Sequence, residues 1–431
     1  MLLFYLISLI IIFLIIEFSL QLVVNFLRKY FDNSHEWLKN RYITNIITKE
    51  KNQFPKIQKK KLLQFRLYMY DLKLGSLYKK NTNVVEKFFK NKKIYKSNYS
   101  IDNDGSRFNR YFKKKNKIST YGDSIAFCRY VNDNDTWQVN LSKKIKSNVK
   151  NFGVGNYGLD QSFLRYLENE KNKKEKSKTV IFAVGPETIR RNMSLWKHYF
   201  EFGNIFNFKP AFIFNKKNKQ YIFCKSPLTK LNKNLKLVNI HKRIKEKDFF
   251  YKNKFQKYLW TKPYSFSLFI NTRRKIILIL FFSLKYIQIE KKSIFVNNLI
   301  KKYFKKFDLL GGLYFDFIDK EKYYNDDKII NNTIQLIKKI KKETQKNKKN
   351  FVLLLIPSHY DYVHRKKNKY CYYNSLINKA NKITKCIDIG EHIKEDPNKI
   401  FADRGYGAHY NKEGNKIISK IIFRFINKNL I

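Results

Sequence analysis

Glycine placement constrains this chain more than any other feature. Only 14 glycines serve 431 residues, and eight of them fall in four clusters: Gly122; Gly153, Gly155 and Gly158; Gly185; and Gly405, Gly407 and Gly414. Three clusters follow short strand-like runs, Ile118 to Tyr121, Val149 to Val154 and Thr179 to Val184. The fourth precedes a helical stripe of Ile417, Ile418, Ile421, Ile422 and Phe425. Two further runs, Phe351 to Ile356 and Cys386 to Ile389, also read as strands. Helical patterns stand between strands, one marked by Phe163, Leu164 and Leu167, another by Ile330, Ile334, Ile337 and Ile340. Alternating strands and helices predict an α/β fold, its parallel sheet covered on both faces. The carboxyl ends of such strands form the ligand crevice, where glycine permits tight turns and close backbone approach.

The N-terminus has a different character. Met1 to Ile16 is an almost unbroken apolar run, which resumes after Glu17 through Leu27. About 20 residues cross a bilayer's hydrocarbon core, and no positive leader or small-residue cleavage site suggests a removable signal. The expectation is a single-pass membrane anchor over residues 1–27. Arg28, Lys29, Lys39 and Arg41 follow the span, but in a chain this rich in lysine they leave its sidedness open. Residues 28–115 read as a juxtamembrane region with limited structure, 116–431 as the α/β domain, and about 205–345 as an insertion within it. The apolar run Ile276 to Leu284 is too short to span a bilayer and reads as core.

Charge excludes less than it first suggests. Ninety basic against 34 acidic residues give +56, but 75 of the 90 are Lys. Ile, Asn, Phe and Tyr are abundant as well, the signature of an AT-rich coding sequence, and no nucleic-acid motif is present, so no nucleic-acid partner is expected. Four scattered cysteines form no C-x-x-C pair, which argues against a disulfide framework or a Cys-based zinc site. His359 and His364 flank Asp361 in what reads as a solvated loop rather than a metal site, and Lys338 to Lys349 reads as a solvated helix end.

Chemistry concentrates at the glycine clusters. Tyr121-Gly122-Asp123-Ser124 puts a serine just past a strand end, where its hydroxyl faces the crevice. Asn151 to Gln161, with three glycines, can aim backbone N–H groups at an oxyanion. His409 stands in a loop ahead of the last helix, plausibly capped by Asn411. Serine and histidine could meet only across the crevice.

Together these residues resemble the SGNH (GDSL-type) hydrolase family, in a membrane-anchored branch like those of surface-polysaccharide loci. Gly122-Asp123-Ser124 matches the first block, Asn151 to Gln161 the second, and His409-Tyr410-Asn411 with Gly414-Asn415 the fifth. Val180 to Asn192 resembles the third block and Lys209 to Phe212 continues it, while Asn103 to Arg107 and Asp133 to Trp137 resemble segments flanking the first. The resemblance covers about 71–225 and 350–431. It implies a three-layer α/β/α, flavodoxin-like fold and a serine esterase or O-acyltransferase that needs no cofactor or metal. Its partners would be an acylated carbohydrate or other small ester and the membrane, with the catalytic domain outside the cytoplasm. Ser124 would be the nucleophile, His409 the general base, and the Ser124 and Asn156 N–H groups the oxyanion donors, with Arg191 and Asn192 near substrate. Two positions depart from the pattern: Glu187 replaces the usual asparagine donor, and Tyr406 replaces the usual triad aspartate. Asp403, three residues further upstream, is the candidate substitute. A catalytically inactive, glycan-binding member of the family is the alternative.

Overall fold

The computed structural model describes residues 1–34, 59–90, 93–109, 111–112, 117–171, 177–201, 204–215, 220–228, 236–258, 260–304, 320–403 and 408–429. The chain divides into two compact units: Met1–Gln58, Trp196–Asn207 and Asn234–Asp319 form the first, and Lys59–Leu195, Phe208–Lys233 and Lys320–Ile431 the second.

The second unit is built on a five-stranded sheet of β1 (Ile118–Gly122), β2 (Val149–Asn151), β3 (Thr179–Val184), β4 (Asn350–Leu355) and β5 (Lys385–Asp388). All neighbours pair in parallel, in the order β2-β1-β3-β4-β5, so the expected α/β class is the one observed. This is the flavodoxin-like doubly wound order, whose direction of winding reverses between β1 and β3.

The strands are apolar on both faces because both are covered. On one face Ile118, Ile181, Val352, Leu354 and Ile387 pack with Trp137 and Leu141 of the helix Trp137–Ile145 and with Ile418, Ile421 and Ile422 of the last helix, Lys412–Asn429. On the other, Tyr121 stacks on Phe182 at 5.6 Å and meets Tyr166 of the helix Leu159–Lys171 edge-on, also at 5.6 Å. The amphipathic helix Asp327–Lys346 contacts β4 and that same helix.

The region expected as one insertion is therefore divided. Helix Asp327–Lys346 and a hairpin of Ala211–Asn215 with Gln220–Cys224 belong to the sheet-containing unit. Residues 28–115 also differ from the expectation of limited structure. Thr82–Lys90 pairs with Lys93–Ile101 in a long antiparallel hairpin, and Tyr99 and Ile101 bury against Phe127 behind Ser124. His359 and His364 lie not in a loop but on the helix His359–Asn368, where Asp361 completes a capping box with Ser358.

In the first unit, helix Leu2–Ser34 holds a stretch, Leu3–Leu27, long and apolar enough to cross a membrane. The run Ile276 to Leu284 lies within a 20-residue helix, Thr272–Lys291. Its Leu278, Phe281 and Phe282 form a core with Val24, Leu27, Trp260 and Tyr264.

Candidate active site

Ser124 opens a four-residue helix directly after β1, at the point where the winding reverses. The turn demands glycine at 122: a Cβ there would lie 1.8 Å from the Ala183 carbonyl oxygen and 2.6 Å from the Ala126 Cβ. Asp123 is fully buried and caps the helix. Its Oδ1 accepts from the N–H of Ile125 (2.8 Å), and its Oδ2 accepts from the N–H of Gly185 (3.1 Å). Burial pushes the Asp123 carboxyl above its usual range, against the pull of Arg191 3.8 Å away. Asp123 thus ties the end of β1 to the end of β3.

His409 reaches the serine from the opposite side of the crevice. Its Nε2 lies 2.8 Å from Ser124 Oγ across 285 residues of sequence. The imidazole is buried, and its pKa falls well below the ordinary histidine value, first through burial and then through the positive charges of Arg129 and Arg191. A neutral ring accepts a proton from the hydroxyl at neutral pH, as a general base must.

The orienting group differs from a triad. Asp403 Oδ1 accepts from the backbone N–H of His409 at 2.8 Å, which fixes the loop rather than the ring. His409 Nδ1 is buried and has no hydrogen-bond partner among the described residues. The Tyr130 ring instead meets the imidazole edge-on at 5.1 Å. Gly405, Tyr406 and Gly407 lie outside the described residues.

The second loop passes beneath the serine helix. Gly153 is required there, since a Cβ would come 2.4 Å from the Phe127 nitrogen. Its N–H donates to Asn151 Oδ1 (2.9 Å), and the Val154 N–H donates to the Gly122 carbonyl (3.0 Å). Asn156 is exposed with φ +70°, a left-handed conformation that asparagine tolerates. The first N–H groups of a helix have no partner within it, which suits the Ser124 N–H to bind an oxyanion.

Glu187, Arg191 and Asn192 all lie in the buried 3-10 segment Pro186–Met193. Glu187 Oε1 pairs with Arg191 Nη2 at 2.7 Å, while Oε2 is buried with no partner among the described residues. Arg191 Nη1 also donates to the Tyr157 carbonyl (2.9 Å). Asn192 accepts from the Leu159 N–H (3.0 Å) and donates to Thr333 Oγ1 (3.2 Å). Arg191 and Asn192 thus brace the second loop from within, rather than presenting free ends to solvent.

Several organising residues had no role assigned from the sequence, although Arg107 and Asp133 stood in segments that carried the resemblance. Arg107 is buried between the rings of Tyr99 and Phe127. It donates to the carbonyls of Phe127 (2.7 Å), Cys128 (2.8 Å) and Val131 (2.6 Å), and pairs with Asp133 (2.7 Å). It therefore holds the loop after the serine helix. In that loop Arg129 pairs with Glu86 of the hairpin (2.7 Å) and covers the Tyr130 ring at 4.7 Å. Tyr130 itself has φ +70°, unusual for a bulky residue, with its N–H donating to the Tyr99 hydroxyl (2.9 Å). Tyr95, Lys96, Ser97, Tyr130, Asp135 and Lys412 are among the residues that line a groove of about 240 Å3, which adjoins His409 through the Tyr130 ring.

No protein-family model matches this chain, and no curated protein matches it. Among solved structures it is similar to a protein assigned to the G-D-S-L lipolytic family from Desulfitobacterium hafniense DCB-2. The similarity spans 72% of this chain and 99% of that one at 14% identity, with a TM-score of 0.30.

Proposed function

We propose that this protein is an SGNH-type serine ester hydrolase or O-acyltransferase. The observation that carries this reading is the 2.8 Å contact of His409 Nε2 with Ser124 Oγ at the switch point of the sheet. His409 takes the hydroxyl proton as Ser124 Oγ attacks an ester carbonyl. The N–H groups of Ser124 and Asn156 bind the oxyanion, which collapses to an acyl-enzyme as His409 protonates the leaving alcohol. Water as second acceptor gives hydrolysis, and a sugar hydroxyl gives acyl transfer.

The family resemblance suggests O-acetyl groups on cell-surface glycans as substrate, and the groove beside His409 suits a sugar. It offers the rings of Tyr95 and Tyr130 for apolar sugar faces, with Ser97, Lys96 and the Asp135–Lys412 pair for hydroxyls. The apolar helix at the N-terminus would hold the enzyme at a cell membrane, catalytic unit outward.

The test is p-nitrophenyl acetate turnover by the full-length protein in detergent beside Ser124→Ala and His409→Ala. Turnover that falls to the uncatalysed background in both variants supports the reading. No turnover by the wild type and no labelling by a fluorophosphonate would instead support an inactive, glycan-binding domain. The pairing of Glu187 with Arg191 and a His409 Nδ1 without a partner among the described residues favour that second reading.

A further inference from the structure

The apolar N-terminal helix carries one carboxylate, and the same chain supplies its partners. Glu17 accepts from the backbone N–H of Tyr264 (2.6 Å) and of Ser265 (2.7 Å), and from Ser265 Oγ (3.0 Å). One helical turn before Glu17, the Phe13 ring meets Phe266 edge-on at 6.3 Å. The short helix Tyr264–Phe269 is thereby registered against the apolar helix at the level of Glu17.

The outward side chains of the segment 260–276 are of two kinds. Phe266, Phe269 and Ile270 are 64%, 78% and 53% exposed, a contiguous apolar patch of the kind that marks an interaction site. Lys262 and Arg273 are exposed beside them. Lys275 is buried instead, bonded to Ser267 and lying 4.9 Å over the Trp260 ring.

These residues fix a depth. Met1 to Ile16 has no charged side chain and spans about 24 Å at the helical rise. Beyond Glu17, Val24 and Leu27 turn into the protein core with Trp260 and Leu278. Exposed cations beside this patch are costly at the bilayer centre, and a contiguous exposed apolar patch gains by leaving water. The boundary between acyl chains and headgroups suits both.

We propose that the segment 260–276 is a membrane-interface foot for an anionic lipid surface. Phe266, Phe269 and Ile270 enter the acyl region beside Phe13, Lys262 and Arg273 meet anionic headgroups, and Glu17 clips the foot to the membrane helix. Its continuity with that helix identifies the lipid as occupant, and nothing in it depends on chemistry at Ser124.

The test uses full-length protein with its four cysteines replaced, reconstituted in phosphatidylcholine–phosphatidylglycerol vesicles. Nitroxide labels are placed singly at Phe269→Cys, at Ile10→Cys as the lipid control and at Glu391→Cys as the water control. The expected result is a Phe269 label open to oxygen and closed to a water-soluble nickel complex, as at Ile10. Adding Glu17→Ala should shift the Phe269 label toward the water control while leaving the Ile10 label unchanged. Adding Lys262→Gln with Arg273→Gln should make its depth the same with or without phosphatidylglycerol. A Phe269 label open to nickel, or shielded from both reagents as at a protein contact, overturns the proposal.

Discussion

At the residue scale, two side chains decide how this site would work. The His409 pKa is depressed, so its proton is lost below the ordinary histidine range and the base stays free at neutral and mildly acidic pH. The acid limb of kcat/KM for p-nitrophenyl acetate should therefore lie below about pH 6.5. Arg129→Gln removes one of the two positive charges and should move that limb upward, toward 6.5; a limb that stays put would show that burial and Arg191 set it without Arg129. The second is Glu187, which stands at the sequence position where the resembling family has an asparagine donor and whose buried Oε2 has no partner among the described residues. Glu187→Gln keeps an acceptor for Arg191 and turns that atom into a donor. One oxyanion donor is worth about 100- to 1,000-fold in rate elsewhere, and the expected outcome is a rise in kcat with KM little changed. Unchanged or lower kcat would place residue 187 outside the oxyanion site.

At the scale of elements, the loop after Ser124 is held from outside the sheet by Arg107. Arg107→Met leaves three buried carbonyls and Asp133 without their donor, so a loss of about 3–5 kcal/mol is expected. Urea unfolding followed by fluorescence measures it, and Lys at the same position should recover only part, lacking the planar fork. The hairpin that supports this loop was hidden from sequence because Thr82–Lys90 and Lys93–Ile101 mix lysine and asparagine with apolar residues, blurring the two-residue alternation. The sheet strands were legible because both faces are buried, leaving continuous apolar runs such as Val180 to Val184. Lys275 and Lys285 bracketed a nine-residue apolar run inside what is a 20-residue helix, since both lysines bury their stems while their amines find oxygen partners. At the candidate site, Ser124 and His409 were legible from the glycine clusters around them. The bond of Asp403 to a backbone N–H, rather than to the ring, depends on loop geometry that no spacing encodes.

At the scale of the whole molecule, the largest core of each unit among the described residues shares no residue with the other. One gathers Ile118, Ile181, Leu354 and Ile422 around the sheet, the other Val24, Leu27, Trp260 and Phe282 around the membrane helix. Separate cores in one chain unfold as separate cooperative units unless a large apolar interface couples them, so calorimetry in detergent should show two transitions. A ligand that binds only the native form of one unit raises that unit's transition alone. Anionic lipid should thus raise the transition of the membrane unit, while a fluorophosphonate adduct at Ser124 should raise only that of the sheet-containing unit. A single transition, or both rising together with either addition, would mean that the two units unfold as one cooperative body.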